Sequence, residues 1–136
     1  MITVRAYTRD DLVTVQGWAQ LRKMVIPEHL IPRDAFMVED ENGPSAFACL
    51  YFRIFCAVCS LDNFTTRPGL NGVKANACWQ ALEAAAFARV AEIRASGEAD
   101  YRIFETFVDS RMGKHAENLG YTVGKKPHFH ISKIIP

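Results

Sequence analysis

Residues 65–82 read TTRPGLNGVKANACWQAL. Threonines close a β-flavoured run at Thr66, Pro68-Gly69 makes a turn, and an alanine-rich stretch begins at Leu70. Strand, glycine-bearing turn, helix is the layout of an anion site. The first N–H groups of a helix lack intrahelical partners and point outward, where they attract phosphate.

Working outward, alanine, leucine and glutamate carry a high-propensity helix from Leu70 to about Ala95, with Gly97 as its stop. Before the turn, Ser45–Phe55 and Ala57–Thr66 read as long apolar strands, although their link near Arg53 to Cys56 holds no Gly or Pro. Ala35–Glu39 is a strand, followed by the turn DENGP at Asp40–Pro44. Ile2–Tyr7 alternates as a short strand. Thr8 with Asp11 forms an approximate capping box, and Leu12, Val15, Trp18, Ala19 and Leu21 recur at helical spacing to about Met24. Ile26–Pro32, with two prolines, is a loop with room for one helical turn. Beyond Gly97, Tyr101–Val108 is a strand. Asp109 or Ser110 caps a short helix that runs to Leu119 and ends at Gly120. Tyr121–Val123, a GKKP turn and His128–Ile134 make a closing hairpin.

The order β-α-β-β-β-α-β-α-β-β predicts an α/β (α+β) fold in one domain, residues 1–136. Its sheet is mixed, mainly antiparallel and twisted, with helices on both faces. The 136 residues are 49% hydrophobic and 23% charged, enough for an ordinary core, and the net charge is +1. Without a Lys/Arg stripe, neither nucleic acid nor an anionic membrane is expected as a partner. With no long apolar run and no signal-peptide pattern, a soluble cytoplasmic protein is expected. Cys49, Cys56, Cys59 and Cys78 sit in apolar company, which suits a reducing compartment.

This element order, with SLDNFTTRPGLNGVKANACWQAL at 60–82 and HAENLGY at 115–121 followed by a strand containing HFHISK, resembles the GNAT family of acetyl-CoA-dependent N-acetyltransferases, small bacteriophage-type members among them. The resemblance spans essentially the whole chain. It implies acetyl-CoA as cosubstrate and a primary amine of a small molecule or protein as acceptor. Its cofactor groove would run between the fourth and fifth strands. The residues it implies there are the amides of Phe64, Thr65 and Thr66, the loop Asn71, Gly72, Val73, Lys74, Ala75 and Asn76, and Ser110. The glycines usual in that loop are thinned: Asn71 stands for Arg, Lys74 for Gly and Asn76 for Gly or Ala. Glycine permits close backbone approach to a pyrophosphate. Lys74 and the two asparagines offer charge and hydrogen bonds instead. The same dilution suggests an alternative, a GNAT-shaped protein without catalysis that binds a partner protein, a host factor if the origin is viral.

Acetyl transfer needs a polarised carbonyl, a neutral amine and an outlet for the thiolate. The resemblance assigns the first to the strand-end amides. Asp62 is the acid on that strand and the candidate base, with pairing to Arg67 as its structural reading. Glu105, within FETFV and facing away from Phe104, is a second carboxylate candidate. The resemblance implies a proton-donating tyrosine four residues before Gly120, where Ala116 stands; neighbouring His115 is the substitute acid candidate, but it lies about 100° around a helix and reads more simply as a solvent-facing residue. The acceptor site would fall on Arg22–Arg33 and Gly124–His130, whose mixed charges name no substrate. Sheet-edge pairing in related proteins leaves room for a homodimer. Cys56 and Cys59 form a CxxC without a second pair and read as core cysteines, and His128 with His130 share a strand face without an evident third ligand, so no metal is expected.

Overall fold

The computed structural model describes residues 1–108, 115–124 and 129–136. Seven strands form one sheet: β1 (Thr3–Ala6), β2 (Ala35–Asp40), β3 (Gly43–Phe52), β4 (Val58–Thr66), β5 (Ile103–Val108), β6 (Thr122–Val123) and β7 (Phe129–Ile134). Their spatial order is β1-β2-β3-β4-β5-β7-β6. All neighbours run antiparallel except β4 and β5. A parallel pair needs a long crossover, and α2 (Gly72–Ser96) supplies it. No helix among the described residues is long and apolar enough to cross a membrane.

Alternation along the strands divides the core into two layers. Val38, Ala46, Ala48, Leu50, Cys59 and Leu61 pack under Cys78, Trp79, Leu82, Ala86 and Val90 of α2. Their neighbours Ala35, Met37, Phe47 and Cys49 face Val15, Trp18 and Ala19 of α1 (Leu12–Leu21) on the opposite side. Helices therefore flank both faces, as the sequence predicts.

Local chemistry accounts for most boundaries. The Thr8 amide and hydroxyl both donate to Asp11 Oδ2, at 2.8 and 3.1 Å, and the Arg5 guanidinium grips the same carboxylate through two 2.8 Å bonds. The capping box is real and doubles as a tie between β1 and the first turn. At the β2–β3 hairpin, the Asn42 amide bonds Asp40 Oδ1, and Gly43 takes φ +94°, a left-handed value glycine adopts without Cβ strain. Pro44 lies inside β3, where the register shifts next to Glu39, so its missing N–H falls at an irregularity. Gly97 stops α2 at φ +77° with its amide on the Arg94 carbonyl.

Three expectations change. The strand predicted to reach Phe55 ends at Phe52. The chain reverses through Arg53–Ala57 with Phe55 at φ +61° and fully exposed, and the Arg53 amide bonds the Val58 carbonyl. Cys56 is consequently exposed on this hairpin rather than in the core. The first helix stops at Leu21, not Met24, because Lys23 turns left-handed at φ 55° and the Met24 amide folds back onto the Ala19 carbonyl. The turn within Ile26–Pro32 is present at Glu28–Leu30.

The Arg5 contact, larger than the burial opposing it, holds the Asp11 carboxyl down at about 2. Its stabilisation is complete above the ordinary carboxylate range and disappears as pH falls towards 2. Asp11→Ala should cost about 1–3 kcal/mol in urea denaturation at pH 7, and the gap from wild type should narrow below about pH 4.

Candidate active site

β4 is bonded to β5 over a short length only: the register pairs Val58 with Ile103, Cys59 with Phe104 and Ser60 with Glu105, and pairing ends there. The strands then part, β4 continuing to Thr66 and β5 to Val108. On its other edge β4 stays on β3 but carries one extra residue. Phe47 faces Thr65 and Cys49 faces Asp62, so Asn63 and Phe64 together oppose Ala48. Asn63 absorbs the insertion at φ +59°, a value asparagine tolerates better than most residues.

The bulge reverses which amides face outward. The Arg53 amide bonds the Val58 carbonyl at one end of the hairpin, and the Arg67 amide bonds the Ser45 carbonyl at 2.9 Å at the other. Alternation of bonded and non-bonded pairs inward from these ends makes Asp62 and Thr65 ladder residues. The Phe64 carbonyl and the N–H and carbonyl of Thr66 then point to the outer edge, and those of Thr65 point into β3. Of the three amides the sequence nominates, that of Thr66 thus faces the outer edge, and that of Thr65 does not. The Thr65 side chain is buried on the α1 face, its hydroxyl without a hydrogen bond among the described residues.

Beyond Thr66 the chain turns through Pro68 and Gly69, the latter at φ +81°, with the Leu70 amide on the Arg67 carbonyl at 3.2 Å. Arg67 does not pair with Asp62. Its guanidinium takes Asp40 at 2.8 and 3.2 Å and the Pro44 carbonyl at 3.1 Å, lashing the turn to the β2–β3 hairpin. Asn71 is the N-cap of α2: its Oδ1 accepts the Lys74 amide at 2.9 Å, and its carbonyl accepts the Ala75 amide at 2.9 Å. The expectation of unpaired amides from Asn71 to Asn76 therefore shrinks to the first positions, Gly72 and Val73, because the capping side chain claims the N–H that an anion would use. A Cβ added at Gly72 would meet nothing within 4 Å, so the space before the helix is open. Lys74 Nζ lies on the surface at 3.0 Å from Glu41 Oε1.

Asn76 makes a contact of another kind. Its Oδ1 lies 2.7 Å from His115 Nε2. His115 is half-buried in the helical stretch 115–118, while Ala116 turns into the core. The imidazole so stands against the second turn of α2 rather than in solvent. Ser110 lies outside the described residues. Tyr121, the tyrosine of Leu-Gly-Tyr, offers no substitute acid in the groove: its hydroxyl donates to Glu83 of α2, which also receives Lys133 Nζ at 2.9 Å, and Lys133 stands 4.6 Å over the Tyr121 ring. Burial first, then Glu83, drives the Tyr121 phenol well above its ordinary value. No local signal foretells this cluster, whose members are brought together only by the fold.

On the α1 face, Asp62 is half-buried beside the parting strands. Burial raises its carboxyl, and the Glu105 charge adds to this, against the Ser60 and Thr106 hydroxyls and Arg53. Glu105 is buried beside Ser60, ion-paired with Arg53 of the exposed hairpin. Asn63 Nδ2 donates to the Tyr51 hydroxyl at 2.9 Å, which donates to the Leu30 carbonyl at 3.1 Å. Asp62 and Glu105 thus share one cluster, whereas His115 meets the α2 side. Burial pushes Cys49 up to about 11 and Cys59 up to about 12, so neither is a thiolate at neutral pH.

Neither a family model nor a curated protein sequence matches this chain. Solved structures do. The ribosomal-protein-S18-alanine N-acetyltransferase from Escherichia coli superposes with a TM-score of 0.70 at 14% identity, over 99% of this chain and 94% of that one. An acetyltransferase of the GNAT family from Staphylococcus aureus Mu50 gives 0.67 at 9% identity, with both chains covered completely. The fold is that of the GNAT acetyltransferases. N-acetylglutamate synthase from Neisseria gonorrhoeae, solved with coenzyme A and L-arginine, matches at 0.68 and 8% identity; the chain covers 98% of its own length there but spans only 33% of the synthase.

Because Asp62 is raised, the folded protein binds its proton more tightly than the unfolded chain does. That contribution is present at low pH and is lost as pH rises through the raised value. Asp62→Asn should raise the thermal midpoint at pH 7, and the advantage should fade below the ordinary carboxylate range; a lower midpoint at pH 7 would mean that the carboxylate is structurally required.

Proposed function

We propose that this chain is an acetyl-CoA-dependent N-acetyltransferase that passes acetyl to a primary amine of a small molecule or protein. The observation that carries the proposal is the outer edge of β4 at Phe64–Thr66, which no strand covers among the described residues and which lies next to the start of α2. A peptide edge left without a strand inside a sheet is a hydrogen-bonding surface for a ligand. The residues fit the group: Gly72 leaves space where a diphosphate would approach, and the Gly72 and Val73 amides begin a 25-residue helix. That several solved structures of the same fold are acetyltransferases, one with coenzyme A bound, supports the same reading.

When bound, acetyl-CoA supplies the activated thioester. The chain's own residues do the rest. Gly72 and Val73 hold the diphosphate through backbone N–H groups. The Phe64 and Thr66 amides would donate to an acyl oxygen as it gains negative charge. Asp62, on the α1 side, accepts a proton from the acceptor ammonium and leaves a neutral amine to attack. Its raised carboxyl is a better match to neutral pH than that of an exposed aspartate. His115, held by Asn76, stands near the helix start and is available to protonate the departing thiolate. The tyrosine usual for that step is replaced by Ala116, which faces the core.

Titration calorimetry tests the reading. Acetyl-CoA should bind with a dissociation constant in roughly the 1 µM to 1 mM range. Gly72→Ala should leave the thermal midpoint unchanged or slightly higher, since Ala is the better helix former and finds empty space, yet weaken cofactor binding at least about tenfold by filling the phosphate approach. No heat of binding at millimolar cofactor, or a Gly72→Ala protein that binds as well as wild type, would remove the transferase reading.

A further inference from the structure

One cation in the site has no role in the scheme above. Arg22 follows the last residue of α1 and reaches across to the end of β4. Its Nη1 donates to the Thr66 carbonyl at 2.7 Å and its Nη2 to the Thr66 hydroxyl at 2.5 Å. Thr66 itself is buried. The register decides what this bond replaces. Arg67 is a ladder residue through its bond to Ser45, so the Thr66↔Ala46 pair is non-bonded and the Thr66 carbonyl points away from β3. That is the edge β5 would occupy if the parallel pairing continued past Ser60 and Glu105.

We propose that Arg22 is a positioning residue of the acyl-transfer site: its guanidinium occupies the hydrogen-bonding place that β5 vacates at Thr66 and so orients the cleft edge of β4. A buried carbonyl without a partner is costly, and a strand end with a free edge frays or seeks another strand. Arg22 removes both outcomes with a side-chain donor from the end of α1 in place of a strand. The edge stays satisfied while the groove stays open. The Thr66 amide, on the same edge, keeps its aim as a result. A planar fork with two parallel donors suits this task, whereas a single ammonium secures one acceptor at a time. The bond also ties the cofactor edge to the start of the segment 22–30, whose far end is tied by Leu30 to Tyr51 and Asn63 beside Asp62.

The inference rests on the acetyl-transfer reading for its kinetic consequence and on the fold alone for its structural one, and two measurements separate them. Arg22→Met keeps the apolar stem and removes the donors. In amide hydrogen exchange without any ligand, peptides covering 62–67 should exchange at least about tenfold faster than in wild type, with β2 and α2 unchanged. In steady-state assays, Arg22→Met should lower kcat by about 10- to 100-fold, a fraction of what deleting an oxyanion donor outright costs, while coenzyme A affinity by calorimetry moves less than about threefold. Arg22→Lys should recover part of kcat, and Thr66→Val, which removes only the hydroxyl contact, should change it little. Unchanged exchange at 62–67 overturns the proposal whatever the activity. Faster exchange in a protein that transfers no acetyl leaves the positioning role standing and removes the transferase reading. Equal losses of kcat and coenzyme A affinity would make Arg22 a binding residue and overturn the proposal.

Discussion

The site depends on a mismatch built into β4. One additional residue at Asn63–Phe64 shifts the strand's alternation, and beyond Ser60 no strand covers its outer edge among the described residues. Buried backbone groups rarely remain unpaired. A strand that leaves peptide groups exposed in the middle of a sheet must therefore give each of them some other partner. The carbonyl of Thr66 has Arg22. The amide of Thr66 faces the outer edge, beside the turn that leads into α2. Without the extra residue, the same edge would present Thr65 and Asn63, and the helix start would lie beside a differently aimed strand.

Rigid ties around the gap hold this arrangement. Arg67 fastens the turn to Asp40, Arg22 fastens the strand end to α1, and Asn63 with Tyr51 fastens the bulge to Leu30. On the α2 side, Trp79 packs edge-on against Phe64, and the Glu83, Tyr121 and Lys133 cluster anchors the residues after the short helical stretch. The two faces then divide the chemistry. The helix-start amides and His115 lie on the α2 side, and the carboxylates Asp62 and Glu105 on the α1 side.

Much of this was legible in the sequence. Propensity and periodicity place both long helices and the meander, and DENGP and PGL mark their turns, because each of these features depends on residues close in sequence. The capping box at Thr8 and Asp11 is legible for the same reason. Other features needed the fold. Arg67 looked like a partner for Asp62, five residues away, yet bonds Asp40 across the sheet. Asn71 looked like a phosphate ligand, yet an N-cap asparagine spends its acceptor on its own helix. Lys23 and Phe55 take left-handed backbone without being glycine, so helix end and hairpin tip carry no composition signal. The bulge at Asn63 is invisible to alternation because LDNFTT alternates about equally well in either register. Ser110, Lys125, Lys126 and His128 lie outside the described residues.

The central claim is that the outer edge of β4 and the first amides of α2 are ligand-binding backbone. Residue-resolved amide exchange with and without coenzyme A measures this directly. The amides of Phe64, Thr66, Gly72 and Val73 should exchange readily in the free protein and become protected together on addition of the cofactor, with Thr65, Lys74 and Ala75 protected throughout. Protection of Phe64 and Thr66 in the free protein, or a cofactor that leaves all four unchanged, would contradict the account.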